Sequence, residues 1–245
     1  ISGMSKSTLR LGRLIILRGS NHVYDQEFHP GVNIIRGWNS TGKSTIMDFL
    51  VYVLGYEIVS WTDEQLLCGS VVAEIFINGV QVCLKRDISE TGQAPTLIFE
   101  GDYDAAAKDS ESWLRYSSRR SAERHSFSQQ IFDMLGLPTH KNDDDANLTM
   151  HQILRLLYVD QLTSTSKLLK ADDQHDNATI RRAIGEYLLG IDDLESHNIR
   201  QDLMTANKVF EAINGELKAI YKMFGNDASS INRKVLNGEI AEVNS

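Results

Sequence analysis

The chain has 245 residues, 42% hydrophobic and 24% charged, with 17 glycines and 3 prolines; these values lie near the globular average and exclude collagen-like and wholly disordered chains. That length suits one large domain or a domain and a half, because single cores seldom grow past about 250 residues. The net charge of −8 argues against a generally basic nucleic-acid coat while allowing a local basic patch, and the two cysteines, Cys68 and Cys83, read as reduced thiols of a cytoplasmic protein rather than as a disulfide framework or metal site.

Ile1-Ser2-Gly3 ahead of Met4 reads as a scar of tag removal, with Met4 as the natural start, and no apolar run approaches the 18 residues of a membrane span. Three short strands are expected next: Leu14 to Leu17, Val23 to Phe28, and a buried one from Val32 to Ile35 after the turn His29-Pro30-Gly31. After a glycine-rich stretch, Ile46, Phe49, Leu50, Val53 and Leu54 recur at helical spacing, and Gly55 fits the position just past a helix end. Asn78-Gly79 between Val71–Ile77 and Val80–Leu84 predicts a tight β-hairpin, since both turn residues tolerate positive φ. Thr96 to Phe99 predicts another strand.

From Asp102 to Arg124 charges, serines and alanines dominate without periodicity, which predicts a loosely ordered insertion with few core contacts. A helix over Ser128 to Leu135 follows, capped by Ser126 or Ser128 and closed by Gly136-Leu137-Pro138. Thr149 to Leu157 reads as a helix running into a short strand, Leu157-Tyr158-Val159, that ends at Asp160-Gln161. Beyond Asp176 the chain is mostly helical. Ile199, Leu203, Ala206, Phe210, Ile213, Leu217, Ile220 and Phe224 alternate steps of four and three, the seam of a helix that packs on another helix. Gly225 to Ser230 interrupts it.

Gly37-Trp38-Asn39-Ser40-Thr41-Gly42-Lys43-Ser44 fits GxxxxGK(S/T). Placed between a strand and a helix, such a loop gathers backbone N–H groups and a helix N-terminus around phosphate oxygens. Lys43 is then the cation for the β and γ phosphates, the Ser44 hydroxyl a Mg²⁺ ligand, and Thr45 a partner for the α phosphate. Other clusters carry less. The seven histidines lack ligand spacing, and His151 reads as a packing or surface residue rather than a ligand or base. Arg115, Arg119, Arg120, Arg124 and His125 with Trp113, Tyr116 and Phe127 form either a solvated basic loop or a nucleic-acid contact with base stacking. Lys141 to Asp145 lacks the glycine and glutamate of a calcium loop, and Asp172-Asp173 and Asp192-Asp193 are adjacent residues that do not converge on one site.

This order of features resembles the N-terminal half of an SMC-like ABC-type ATPase head, over most of the chain. LRLGRLIILRG and VNIIRGWNSTGKSTIMDFLVYVLG are similar to that family's first strands, Walker A loop and following helix, YVDQ is similar to its Q-loop, and the seam after Asp192 to its ascending coiled-coil arm. The resemblance implies an α/β fold: a P-loop ABC-type ATPase lobe with an antiparallel β subdomain over residues 4–190, and from 191 to 245 the start of a helical arm entering a coiled coil. It implies ATP and Mg²⁺, with Arg18, Gly37, Asn39, Ser40, Thr41, Gly42, Lys43, Ser44 and Thr45 around the nucleotide, Ser44 and Gln161 on the metal, and Lys43 and Gln161 as the catalytic pair. Arg18 and Gly19 fall where the family approaches the nucleotide from its first hairpin.

Two departures matter. The loop has Asn39-Ser40-Thr41-Gly42 where the family commonly has NGxGKS, a variation similar to the OLD-like branch. Walker B, the signature serine, the D-loop and the switch histidine belong to the family's C-terminal half and are not recognisable here, so the resemblance implies an ATPase completed by the chain's own C-terminal half and a second head, as a homodimer. NLTMHQILRLLYVDQ with SFSQQIF resembles the SMC-like subunit of Lamassu-type bacterial defence systems. That likeness implies a cytoplasmic machine that senses or clamps DNA and controls an effector nuclease, with an accessory subunit and no membrane. The alternatives are a nucleotide-gated scaffold or a DNA-repair SMC-like protein with slow or no hydrolysis. An OLD-like nuclease would need a Toprim acidic cluster that is missing here, and the heptad seam disfavours a transporter ATPase.

Overall fold

A computed structural model of the chain describes residues 7–58, 60–89, 94–119, 124–137, 148–159, 178–191, 199, 202–220 and 222. The expectations for Ile1 to Gly3, Lys141 to Asp145, Gln161, the two aspartate pairs and the chain beyond 222 lie outside these residues. Two compact units result, Ile1–Leu194 and Glu195–Ser245.

The first unit is built on six antiparallel strands: β1 (Leu9–Arg18), β2 (Asn21–Glu27), β3 (Ser70–Ile77), β4 (Val80–Asp87), β5 (Thr96–Glu100) and β6 (Leu114–Tyr116), in the spatial order β2-β1-β3-β4-β5-β6. Asn78 (φ 50°) and Gly79 (φ 85°) make the two-residue turn between β3 and β4, where the left-handed conformation at both positions matches the strand twist. Asn78 also donates from Nδ2 to the Met134 carbonyl and accepts from the Thr8 N–H, so the hairpin tip is tied to its surroundings.

Alternation along the strands sends side chains to two covered faces. On one, Leu14, Ile16, Val71, Ala73, Ile75, Val82, Leu84 and Ile98 meet Phe49, Tyr52 and Val53 of α1 (Lys43–Val53), Ile131 and Phe132 of α4 (Phe127–Leu135), Ile153 and Leu154 of α5 (Met150–Leu157), and Ile184 of α6 (Ala178–Leu188). On the other, Ile15, Leu17, Val72 and Cys83 lie under Ala106, Tyr103 and Trp113. Both middle helices open on capping boxes, Ser126 with Gln129 on α4, where the sequence offered Ser126 as a cap, and Thr149 with Gln152 on α5, each satisfying two orphan N–H groups. Of the two cap candidates for α4 it is Ser126 that caps; Ser128 instead accepts from the Met150 N–H.

Three expectations change. The stretch after Asp102 is ordered over its described part: Asp102 caps α3 (Tyr103–Ala106), the Trp113 indole donates to the Ala106 carbonyl, and β6 extends the sheet. Its polar composition reflects a covering layer with one face in water, with Asp104, Lys108 and Asp109 all exposed. The stretch from Val32 to Ile35 is not a buried strand of this sheet. Val32 is 81% and Ile34 70% exposed, and a strand needs a ladder partner that the described residues do not offer it. After α5 the chain turns extended at Tyr158 (φ −91°, ψ 119°) but makes no described ladder.

In the second unit residues 202–220 are helical. Leu203, Phe210, Ile213, Leu217 and Ile220 of the heptad seam are 46–63% exposed.

Candidate phosphate-binding loop

The loop joins β2 to α1. Gly42 turns left-handed (φ 83°) as the N-cap of α1 and carries no side chain to cap it. The first intrahelical bond runs from the Ile46 N–H to the Gly42 carbonyl, which leaves the N–H groups of Lys43, Ser44 and Thr45 at the open start of the helix. With the partial positive charge of the helix terminus, that start favours an anion.

The preceding residues hold the loop in shape. Lys43 Nζ donates to the carbonyls of Gly37 (3.0 Å) and Trp38 (2.6 Å), and Thr41 Oγ1 donates to the same Trp38 carbonyl (2.8 Å). At Gly37 a Cβ would sit 2.6 Å from Thr41 Oγ1, so a larger residue would have to push the Thr41 side chain off the Trp38 carbonyl. Ser40 adopts φ 62°, which costs an L-residue about 1–2 kcal/mol and marks a loop bent by its neighbours. Ser44 is exposed and Thr45 half-buried. The side chains of Asn39 and Ser40 are exposed on the rim. Trp38, 88% exposed, projects from the pinned backbone.

Lys43, Ser44 and Thr45 are thus brought together with Gly37, Asn39, Ser40, Thr41 and Gly42. Arg18 stands at the exposed end of β1, where its charge acts on the half-buried Cys68 thiol and none of the described bonds joins it to the loop. Gln161 lies outside the described residues, but Tyr158, three positions earlier, is fixed: its hydroxyl donates to Asp48 Oδ1 at 2.7 Å, one turn beyond Ser44 on α1.

Sequence reasoning missed three residues that set α1. Asp48 takes a second bond on Oδ2 from Gln65 Nε2 (2.9 Å), whose Oε1 accepts from the Thr62 N–H as half of the capping box of α2 (Asp63–Leu66). Arg86, only 2% exposed, donates to the carbonyls of Tyr52 (2.7 Å) and Tyr56 (3.1 Å) at the far end of α1 and to that of Ala94 (3.0 Å), with its guanidinium 4.0 Å over the Tyr52 ring. Burial lowers its pKa from the ordinary arginine value, and the charge is repaid by the C-terminal carbonyls of the helix. Of the two readings of His151, packing or surface, the contacts favour packing: its ring lies 4.6 Å from that of Tyr56 and its Nδ1 accepts from the Glu57 N–H.

The basic cluster divides. Phe127 is buried in the core and Trp113 is committed to the second face, which removes two of the three aromatics from base stacking, while Arg115, Arg119, Arg124 and His125 are exposed. No helix among the described residues is long and apolar enough to cross a membrane, and none of their acidic, cysteine and histidine side chains cluster as a metal site.

No curated protein matches the chain. A family model described as an AAA domain matches residues 22–224, a span that runs from β2 through the loop and the YVDQ segment into the second unit. The chain therefore belongs to the AAA domain family, a family of SMC-like ATPases, and its domain is of the nucleotide-binding kind.

Proposed function

We propose that residues 37–45 bind ATP with Mg²⁺ and that the chain is the nucleotide-binding part of an SMC-like ATPase head. One observation carries this: a left-handed glycine opens an uncapped helix start beside a lysine and an exposed serine. The residues fit the nucleotide. The Lys43 ammonium sits on carbonyls it can exchange for phosphate oxygens, and Ser44 beside it is exposed. Lys43 neutralises β and γ phosphate charge, Ser44 holds Mg²⁺ and Thr45 meets the α phosphate. The metal supplies charge neutralisation at the phosphates when bound. Gln161 orients water and completes the metal shell in this reading, which the anchoring of Tyr158 beside α1 supports, and Arg18 approaches from the first hairpin.

Completion of the site falls to the chain's own C-terminal half and a second head. The exposed Val32, Ile34 and Trp38 beside the loop support this, as an apolar edge awaiting cover. The apolar stripe along 202–220 supports a coiled-coil arm, and the exposed arginines at 115, 119 and 124 support DNA as a partner. Control of an effector nuclease in defence against phages and plasmids rests on the likeness of residues 147–161 to Lamassu-type subunits.

The test is ATP titration of full-length protein against Lys43→Ala. Loss of a charged phosphate contact is expected to weaken binding by about 30-fold or more, corresponding to at least about 2 kcal/mol, with the fold retained. Unchanged affinity in a folded variant would defeat the assignment. Turnover measured with and without linear, circular and hairpin DNA then separates a DNA-stimulated machine from a nucleotide-gated scaffold that binds without hydrolysis.

A further inference from the structure

Asp48 interrupts the apolar run Ile46-Met47-Phe49-Leu50 on α1, one turn past Ser44 and on the same helix face. Nothing in packing asks for a carboxylate there. Each of its oxygens nevertheless has a fixed donor from a different element: Tyr158 Oη on Oδ1 and Gln65 Nε2 on Oδ2. Gln65 is buried, and its amide cannot flip without also losing the Thr62 bond.

Tyr158 is the first residue past α5, whose start meets residues 55–57 just past α1 and whose end meets α1 itself. At its start Met150 packs beside Gly55, where an added Cβ would lie 3.1 Å from Met150 Cβ, and His151 is held by Tyr56 and the Glu57 N–H. At its finish the Tyr158 hydroxyl reaches Asp48 while its ring meets that of Tyr56 edge-on at 5.9 Å. The two ends of α5 thus meet the residues just past α1 and, through Tyr158, Asp48, which lies one turn past Ser44.

We infer that Asp48 is a positioning residue that couples occupancy of the phosphate loop to the C-terminal end of α5 through the Tyr158 hydroxyl. It need touch neither nucleotide nor metal. A phosphate that takes Lys43 from the carbonyls of Gly37 and Trp38 changes the contacts at the start of α1, and Asp48 passes that change to an element distant in sequence but adjacent in space. The inference rests on nucleotide binding at residues 37–45.

The experiment is amide hydrogen exchange over residues 150–159 of the full-length protein with and without ATP and Mg²⁺, in the wild type, Tyr158→Phe and Asp48→Ala, with ATP affinity titrated on the same samples. In the wild type ATP is expected to slow exchange at the end of α5 by about tenfold, and both variants are expected to bind ATP within about threefold of wild type while losing that protection. Asp48→Ala removes both acceptors, whereas Tyr158→Phe removes one donor alone, which makes the two variants independent checks. Protection that persists in Tyr158→Phe, or that is absent in wild type with ATP bound, overturns the coupling. Failure of the wild type to bind ATP is read from the titration alone and strikes the nucleotide assignment beneath it.

Discussion

Replacing Arg86 by methionine tests what fixes the far end of α1. The side chain is buried, so its removal strips a charged donor from three carbonyls at once, those of Tyr52, Tyr56 and Ala94. At about 1.5–3 kcal/mol for each hydrogen bond to a charged group, the gross loss is roughly 5–9 kcal/mol. Against this stands the several kcal/mol that burying a cation costs and that methionine recovers. Methionine fills most of the volume but satisfies no carbonyl, and it gives up the guanidinium over the Tyr52 ring and its charge at the helix C-terminus. The net expectation is a loss of about 3 kcal/mol, which for a unit of this size lowers the melting temperature by roughly 6–12 °C.

Arg86→Lys is the control. One ammonium on a flexible stem cannot reproduce a planar fork spread over three acceptors, so it should fall between wild type and methionine. Thermal and urea unfolding read both variants. If Arg86→Met melts within about 2 °C of wild type, the guanidinium is not what holds the end of α1, and the recovered desolvation has cancelled the bonds.

The remaining predictions concern packing and pH. Gly55→Ala places a methyl 2.9 Å from Phe127 Cε1 at φ 104° and should destabilise by about 2–4 kcal/mol, whereas Gly136→Ala, also just past a helix end at φ 71° but with open space around it, should show only the backbone cost of about 1–2 kcal/mol; equal losses in urea unfolding would refute the close approach of α1, α4 and α5. Burial pushes the Cys83 thiol up to about 12 from the ordinary thiol value of 9.0, so the folded protein keeps a proton that the unfolded chain gives up; the stabilisation is whole below pH 9 and is lost as pH rises through the window up to about 12. Cys83→Ala should therefore show a shallower fall in urea midpoint across that window, and an unchanged slope would contradict the buried thiol.

Much of the site was legible because local rules fix it. The left-handed turn at Asn78-Gly79, the helix stop at Gly55 and the glycine loop before Lys43 each need a particular residue type at one backbone position, and short-range sequence carries that information. The polar stretch after Asp102 misled because its apolar contribution is sparse: Ala106, Tyr103 and Trp113 suffice to cover a small face, and three residues out of some twenty make no period. Arg86 shows the opposite failure. Its place after Val82 and Leu84 on alternate positions put it on the core face, yet a charge there reads as the end of a strand until the carbonyls of α1 are seen above it.

The misplaced strand from Val32 to Ile35 has a different cause, and it bears on what this chain does alone. Its sequence is apolar enough for burial, and the loop it feeds is formed, with Lys43 and Thr41 both bonded to the Trp38 carbonyl. Formation of the loop thus depends on contacts within residues 37–43 and on α1 seated on the sheet, while the entering segment lies exposed. Apolar residues at alternate exposed positions are a local signal for pairing whose answer lies elsewhere, since a strand is specified by its own pattern but stabilised by a neighbour's N–H and C=O groups. The shape of the glycine loop and the pairing of the segment that enters it are therefore separable in this protein. The first belongs to residues that hold one another, while Val32, Ile34 and Trp38 stay exposed.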